Sequence, residues 1–118
     1  MQTNLPEREA RFYIEDGCLC RVVTAADGRG YSHRCSLAAF EAVAHAIEET
    51  PAEGAGTTQL RLAKQEKLAH TQVNLALEFL KERGIVQVRH RRCYPASKSL
   101  HLDAMTEFYA LAEQPKPQ

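Results

Sequence analysis

The sequence lacks any apolar run that approaches the roughly 20 residues a helix needs to cross a bilayer. Residues 1–9 also lack the apolar segment that is typical of a secretory signal peptide. We therefore expect a cytoplasmic protein without a membrane partner.

Catalytic motifs are missing as well. The chain contains no glycine-rich phosphate loop, no G-x-S-x-G and no H-E-x-x-H. Histidine and cysteine both occur, but no pattern places a cysteine nucleophile beside a histidine base. We expect a protein that is not an enzyme and that uses no cofactor.

A chain of 118 residues is long enough for a single domain, residues 1–118, which ends in a loose tail at residues 114–118. Its net charge is zero, but the charge is unevenly distributed. Residues 57–98 hold nine basic and three acidic residues, a net charge of +6. Such a basic segment is typical of a nucleic-acid-binding surface. Solubility charge scattered over helices is the alternative.

Residues 11–35 are predicted to form a β-meander of three strands. Apolar runs flank the dipeptides Asp16-Gly17 and Asp27-Gly28, and an Asp-Gly pair in this setting is a strong signal for a two-residue hairpin turn. Two such turns would align one row of residues across the sheet, with two further residues beside it on the same face: Tyr13, Cys20 and Cys35, then Val22 and His33.

Four residues of this meander are candidate zinc ligands. Cys18 and Cys20 form a C-x-C pair, and His33 and Cys35 form an H-x-C pair on the neighbouring strand. A C-x-C pair on a flat strand holds its sulfurs roughly 6–7 Å apart, wider than zinc-binding knuckles. We therefore favour buried cysteines over zinc or a disulfide, and expect no metal ion. Cys93 is a candidate for a partly exposed thiol.

Residues 36–49 show the first clear helical pattern. Ser36 is a suitable N-cap, and His45 is expected at the surface rather than as a ligand. Residues 50–56 form a flexible connection to the next helix. The apolar residues of this first helix recur at helical spacing: Leu37, Phe40, Val43, Ala44 and Ile47.

The stretch from Thr57 to Arg92 has the most specific order of elements. A short helical pattern is followed by a polar break, a longer helical pattern, a glycine and a β-branched alternation that ends in a basic run. Gly84 follows the longer helix where a left-handed residue is favoured. That helix carries one apolar stripe at positions i, i+3, i+4 and i+7: Val73, Ala76, Leu77 and Leu80.

The segments Leu62-Ala63, Thr71 to Leu77 and Leu80 to Val86, in this order and spacing, resemble the winged helix-turn-helix domain of bacterial transcription regulators. The resemblance covers a third of the chain closely and extends loosely to the helix before it. It implies an α+β fold with a winged-helix core at residues 36–102. The β-meander precedes this core, and a C-terminal helix at residues 103–113 follows it.

In that family the second helix of the motif is the recognition helix, and the strand after the glycine leads into a wing. Asn and Gln amides match the edge of adenine, and arginines contact phosphate. The resemblance implies a sequence-specific transcription regulator that binds double-stranded DNA through these residues: Lys64, Lys67, His70, Thr71, Gln72, Asn74, Arg89, Arg91 and Arg92. An ordinary solvated face is the alternative for the polar residues of the helix.

Leu75 and Phe79 depart from the pattern of that family. They are expected to face outward from the recognition helix, where many such proteins carry Arg or Lys. An apolar strip of this kind docks either the meander, a second subunit or another protein. The alternative function is therefore a winged-helix protein–protein interaction module without DNA binding, with Leu75 and Phe79 in the contact.

Beyond the basic run, residues 93–97 are predicted to turn and residues 98–102 to form a short return strand. A final helix is predicted to start after Asp103 as its N-cap. Such a terminal helix either packs back on the core or pairs with its copy, and in related regulators it often dimerises, so we expect a homodimer. Its apolar residues cover more than one face: Leu102, Met105, Phe108, Tyr109, Leu111 and Ala112.

Overall fold

The computed structural model of the protein describes residues 9–25 and 27–116. The elements in chain order are strands β1 (Glu9–Glu15), β2 (Cys18–Thr24) and β3 (Gly30–Cys35), helices α1 (Leu37–Glu48), α2 (Gln59–Glu66) and α3 (His70–Glu82), strands β4 (Val86–Arg89) and β5 (Arg92–Pro95), and helix α4 (Leu100–Ala112). The α+β class is confirmed. No helix within the described ranges is long and apolar enough to cross a membrane.

Strands β1, β2 and β3 form the predicted antiparallel meander. The first turn has two residues, Asp16 and Gly17, both in the left-handed region with φ values of 54° and 73°. It pairs Tyr13 with Cys20, as predicted. The second connection is not the predicted two-residue turn, since β2 ends at Thr24 and the strands are joined across residues 25–29.

This longer connection shifts β3 by one residue from its predicted register. Cys35 lies opposite Leu19 rather than opposite Cys20. Because successive side chains of a strand point to opposite faces, a shift of one residue moves every side chain of β3 to the other face. The predicted row across the sheet is therefore wrong for Cys35, which joins the hydrophobic core.

Helices α1 and α2 each begin at a capping residue, and that of α1 is the predicted Ser36. The Ser36 hydroxyl accepts a hydrogen bond from the Ala39 backbone N–H at 3.1 Å. The Thr58 hydroxyl accepts one from the Arg61 backbone N–H, also at 3.1 Å. Each bond satisfies a donor that the first helical turn otherwise leaves without a partner.

Strands β4 and β5 form a separate antiparallel hairpin. Thr57, just before α2, forms an isolated antiparallel bridge with Cys93 of β5 through backbone hydrogen bonds of 2.9 and 2.8 Å. The bridge fixes the hairpin to the start of α2. The order along the chain is therefore helix, bridging segment, two helices and hairpin.

The boundaries at the end of this hairpin differ from the prediction. The turn lies at His90 and Arg91, inside the basic run, rather than at residues 93–97. The return strand is β5, which ends before the predicted range 98–102, and α4 begins at Leu100 instead of after Asp103. The early turn brings β5 to the core, where its cysteine and tyrosine are buried.

All four phenylalanines of the chain meet in the core. The Phe79 ring on α3 lies 5.3 Å from the Phe12 ring on β1 and 5.9 Å from the Phe40 ring on α1, measured between centroids. The Phe40 ring lies 5.4 Å from that of Phe108 on α4. This cluster joins the meander to three of the helices around one hydrophobic core.

Helix α4 packs back on the core through one face and leaves another face exposed. Its buried residues are Leu100, Ala104, Phe108 and Leu111. Leu102 and Tyr109 retain 66% and 56% of their accessible surface. The first of the two expected roles of this helix is thus confirmed, and an apolar strip remains on its outer side.

Candidate nucleic-acid interface

The tip of the β4–β5 hairpin is a two-residue turn formed by His90 and Arg91. Both have positive φ, 49° and 65°, a conformation that glycine, asparagine and aspartate usually provide in such turns. For other residues it costs about 1–2 kcal/mol each. His90, Arg91 and Arg92 are exposed, and neither arginine has an ion-pair partner among the residues that the structure describes.

Arg89, the first arginine of the predicted wing, is engaged within the protein. Its Nη2 donates a hydrogen bond to the Ala52 carbonyl at 2.6 Å, and its guanidinium carbon lies over the Tyr94 ring, 3.9 Å from the centroid. The Tyr94 hydroxyl donates to the Gly54 carbonyl at 2.9 Å. These contacts hold the hairpin against the connection between α1 and α2. Of the predicted wing arginines, Arg91 and Arg92 take no part in them.

The corner between α2 and α3 exposes four of the predicted contact residues: Lys64, Lys67, His70 and Thr71. Lys67 turns the chain in the left-handed conformation with φ 56°. The N-cap of α3 is Ala69, which offers no side-chain hydrogen bond, and the first turn of α3 carries no acid. A helix N-terminus with unsatisfied N–H groups and no nearby carboxylate favours an anion.

Arg61 belongs to the same surface, although it is absent from the contact residues predicted above. It is exposed on α2, three residues before Lys64, so the two side chains project from one face of the helix. The i, i+3 spacing of two basic residues was the sequence signal for this pair.

Gln72 and Asn74, the two amides predicted to contact bases, are hydrogen-bonded inside the protein. The Asn74 Oδ1 accepts a hydrogen bond from the Arg21 guanidinium at 3.1 Å, and its Nδ2 donates to the Gln59 side chain at 3.1 Å. The Gln72 Oε1 accepts one from the Ser36 backbone N–H at 3.0 Å. The meander and the start of α1 thus cover this side of α3.

Leu75 and Phe79 do not face outward, and their prediction as an exposed strip is wrong. Both side chains are fully buried, and Phe79 contacts the ring of Phe12 on the meander. Of the three docking partners expected for this strip, the meander is the one present. Helix α3 is apolar on more than one face, and the meander packs against the face that carries Phe79.

The four candidate zinc ligands of the meander do not converge on one point. In the observed register His33 lies opposite Arg21 and Cys35 opposite Leu19, so both share the face of the odd-numbered residues of β2. Cys18 and Cys20 point to the other face. The zinc site weighed from the sequence therefore does not form in this sheet.

The buried cysteines are poor nucleophiles as well as poor ligands. Burial raises the pKa of the Cys35 thiol to about 12, and burial also raises the pKa values of Cys20 and Cys93. Cys93 is only 5% exposed, so the expected partly exposed thiol is wrong. These three thiols stay protonated at neutral pH, whereas nucleophilic attack and metal binding need the thiolate.

Ion pairs neutralise some of the charge of the basic segment. Lys81 lies 3.8 Å from Glu78, and Arg83 lies 3.3 Å from Glu107. The segment's other basic residues have no ion-pair partner among the described residues: Arg61, Lys64, Lys67, Arg89, Arg91, Arg92 and Lys98. The unneutralised charge is thus concentrated at the α2–α3 corner and in and after the hairpin.

No protein-family model, no curated protein and no solved structure matches this chain.

Proposed function

We propose that the chain is a winged helix-turn-helix protein that binds double-stranded DNA, with α2 and α3 as the helix-turn-helix and the β4–β5 hairpin as the wing. The order of helix, bridging segment, two helices and hairpin supports this assignment. The observation that carries it is the hairpin tip, where Arg91 and Arg92 are exposed and have no acidic partner among the described residues.

Phosphate contacts dominate this mode of binding. Arg91 and Arg92 approach the backbone from the wing, and Lys64 and Lys67 approach it from the corner before α3. Phosphate contacts position a protein on DNA but carry no sequence information directly. Because the amides of α3 are engaged inside the protein, base selectivity rests on His70 and Thr71 at the exposed start of the helix. Transcription regulation is the role proposed for this binding.

Replacing Arg91 and Arg92 together by alanine tests the wing. The double variant should bind a random-sequence fluorescent duplex more weakly than the unmodified protein, to a similar degree for every sequence. The logarithm of the binding constant falls linearly with the logarithm of the salt concentration, with a slope of roughly −0.9 per phosphate neutralised. Loss of two phosphate contacts should therefore make the slope less negative by about 1.8. The measurement is fluorescence anisotropy across a series of salt concentrations.

A matched control removes the same charge from the meander. Arg29 and Arg34 are exposed there and form only surface ion pairs, so replacing both by alanine should keep the fold. The control should retain most of the affinity and the salt slope. Equal losses in both double variants would show a general charge effect, and an unchanged slope in the wing variant would exclude the wing from the contact.

The alternative function is a protein-interaction module without DNA binding. Leu75 and Phe79 no longer provide its surface because both are buried.

The exposed pair on α4, Leu102 and Tyr109, provides an apolar strip for association. We assign this strip to the homodimer contact. Sedimentation of the unmodified protein and of Leu102→Glu at several concentrations tests this assignment. A monomeric unmodified protein would exclude the dimer.

A further inference from the structure

A cluster of two histidines and one glutamate lies where the start of α4 meets α1. Glu41 and His45 are four residues apart on α1 and therefore project from the same face. His101 is the second residue of α4, and its Nε2 lies 3.2 Å from the Glu41 Oε1. The His101 ring stacks on the His45 ring at a centroid distance of 3.8 Å and an angle of 15°. Neither the DNA-binding surface nor the core explains this arrangement.

We propose that Glu41, His45 and His101 form a binding site for Zn²⁺ or a similar first-row divalent cation. One ligand atom from each residue lies within 4.8 Å of the others. In a tetrahedral zinc site with bonds of about 2.0–2.1 Å, ligand atoms lie roughly 3.4 Å apart. Closing the site needs a contraction of at most about 1.4 Å between any two ligand atoms and a turn of the two stacked rings out of parallel.

The surroundings of His101 favour a site at this place. Glu48, one turn after His45 on α1, accepts a hydrogen bond from the His101 backbone N–H at 3.0 Å. This bond fixes the start of α4 on α1 independently of the His101 ring. The three ligand side chains are partly exposed, so an ion reaches them from solvent. Glu41 forms no ion pair with Lys or Arg among the described residues, and its carboxylate is available to a metal.

The donor set indicates which metal binds. Two imidazoles and one carboxylate suit Zn²⁺, Co²⁺, Ni²⁺ and Cu²⁺, whereas Mg²⁺ and Ca²⁺ prefer all-oxygen sites. Three protein ligands leave the fourth tetrahedral position to water. An ion held in this way links α1 to α4, so it stabilises the folded state in proportion to its binding.

Titration of the protein without a polyhistidine tag tests the site. Co²⁺ binding is followed by its visible absorption, and Zn²⁺ binding by calorimetry and by the shift in Tm. We expect one ion per chain, a Tm that rises with Zn²⁺, and at least about tenfold weaker binding for His45→Gln and for His101→Gln. His45 is exposed, and His101→Gln keeps the backbone bond to Glu48, so both variants should retain the circular dichroism of the folded protein.

His70→Gln and His90→Gln are the matched controls, since both histidines are exposed and lie outside the cluster. Each should bind Co²⁺ and Zn²⁺ like the unmodified protein. Absence of saturable binding would overturn the proposal. So would binding by His45→Gln or His101→Gln that is as tight as that of the unmodified protein. A sulfur-to-cobalt charge-transfer band would also overturn it, because the ion would then be bound by a cysteine.

Discussion

Left-handed backbone at non-glycine residues is concentrated on the proposed DNA surface. Four non-glycine residues of the described chain have positive φ, namely Asp16, Lys67, His90 and Arg91. Asp16 precedes a glycine in a turn type that favours aspartate. The other three carry basic or titratable side chains and lie at the helix corner and the hairpin tip. Strain kept at these positions, where glycine or asparagine would relieve it, is consistent with the proposed contact role of their side chains.

Replacing His90 and Arg91 by Asn and Gly (H90N/R91G) should therefore stabilise the protein and weaken DNA binding. Relief of the strained turn, less the entropy that glycine loses on folding, should raise the free energy of unfolding by about 1 kcal/mol. Urea unfolding followed by circular dichroism measures the gain. The H90A/R91A variant keeps a Cβ at both positions, so it should lose affinity without gaining stability. No gain for H90N/R91G would show that the turn is unstrained.

At the level of elements, the position of α3 differs most from that of an open recognition helix. Six of its residues are buried, and the meander lies against the side that carries Gln72 and Asn74. Asn74 connects β2 to α2 through Arg21 and Gln59. In the proposed complex, the helix therefore offers DNA only its first turn, where His70 and Thr71 are exposed.

Asn74→Ala should consequently act on stability and not on base selectivity. Removal of the amide leaves the Arg21 guanidinium and the Gln59 amide without this partner in a partly buried place. The expected cost is about 1–3 kcal/mol in the free energy of unfolding, measured in urea. Thr71→Ala is the control at an exposed position of the same helix and should change stability little. A selective loss of affinity for preferred sites in folded Asn74→Ala would restore the base-contact role.

At the level of the whole molecule, the phenylalanine cluster unites the meander and the helices in a single folding unit. Phe79 contacts both Phe12 on β1 and Phe40 on α1, and its side chain is fully buried. The Arg83 guanidinium lies 5.0 Å from the centroid of the same ring. Loss of the Phe79 side chain should therefore loosen the meander and the helices at once.

Phe79→Ala should lower the free energy of unfolding by about 3–5 kcal/mol, the range for deletion of a buried phenylalanine. Urea unfolding should remain a single transition, because the meander and the helices share this core. Leu60→Ala removes an apolar side chain from an exposed position outside the proposed dimer contact and should change stability by less than about 0.5 kcal/mol. Two separate transitions in the unmodified protein would contradict a shared core.

Local signals in the sequence determined the elements. Helical spacing, the Ser36 cap, the Asp16-Gly17 turn and the glycine after α3 depend on neighbours within a few residues, and all of them are found in the structure. The concentration of positive charge in residues 57–98 also follows from the sequence alone. Of the residues that this local pattern proposes as DNA contacts, those at the helix corner and Arg91 and Arg92 of the hairpin lie exposed.

Only the tertiary structure decided what covers α3 and where β3 lies. A one-residue shift in the register of β3, which follows from the longer connection before it, moved Cys35 into the core and separated the candidate zinc ligands. Docking of the meander buried Leu75 and Phe79 and engaged Asn74, which local spacing left on an outer face. Likewise, His101 meets His45 and Glu41 only because α4 folds back on α1. Such contacts join residues far apart in the chain, so their geometry depends on how whole elements pack.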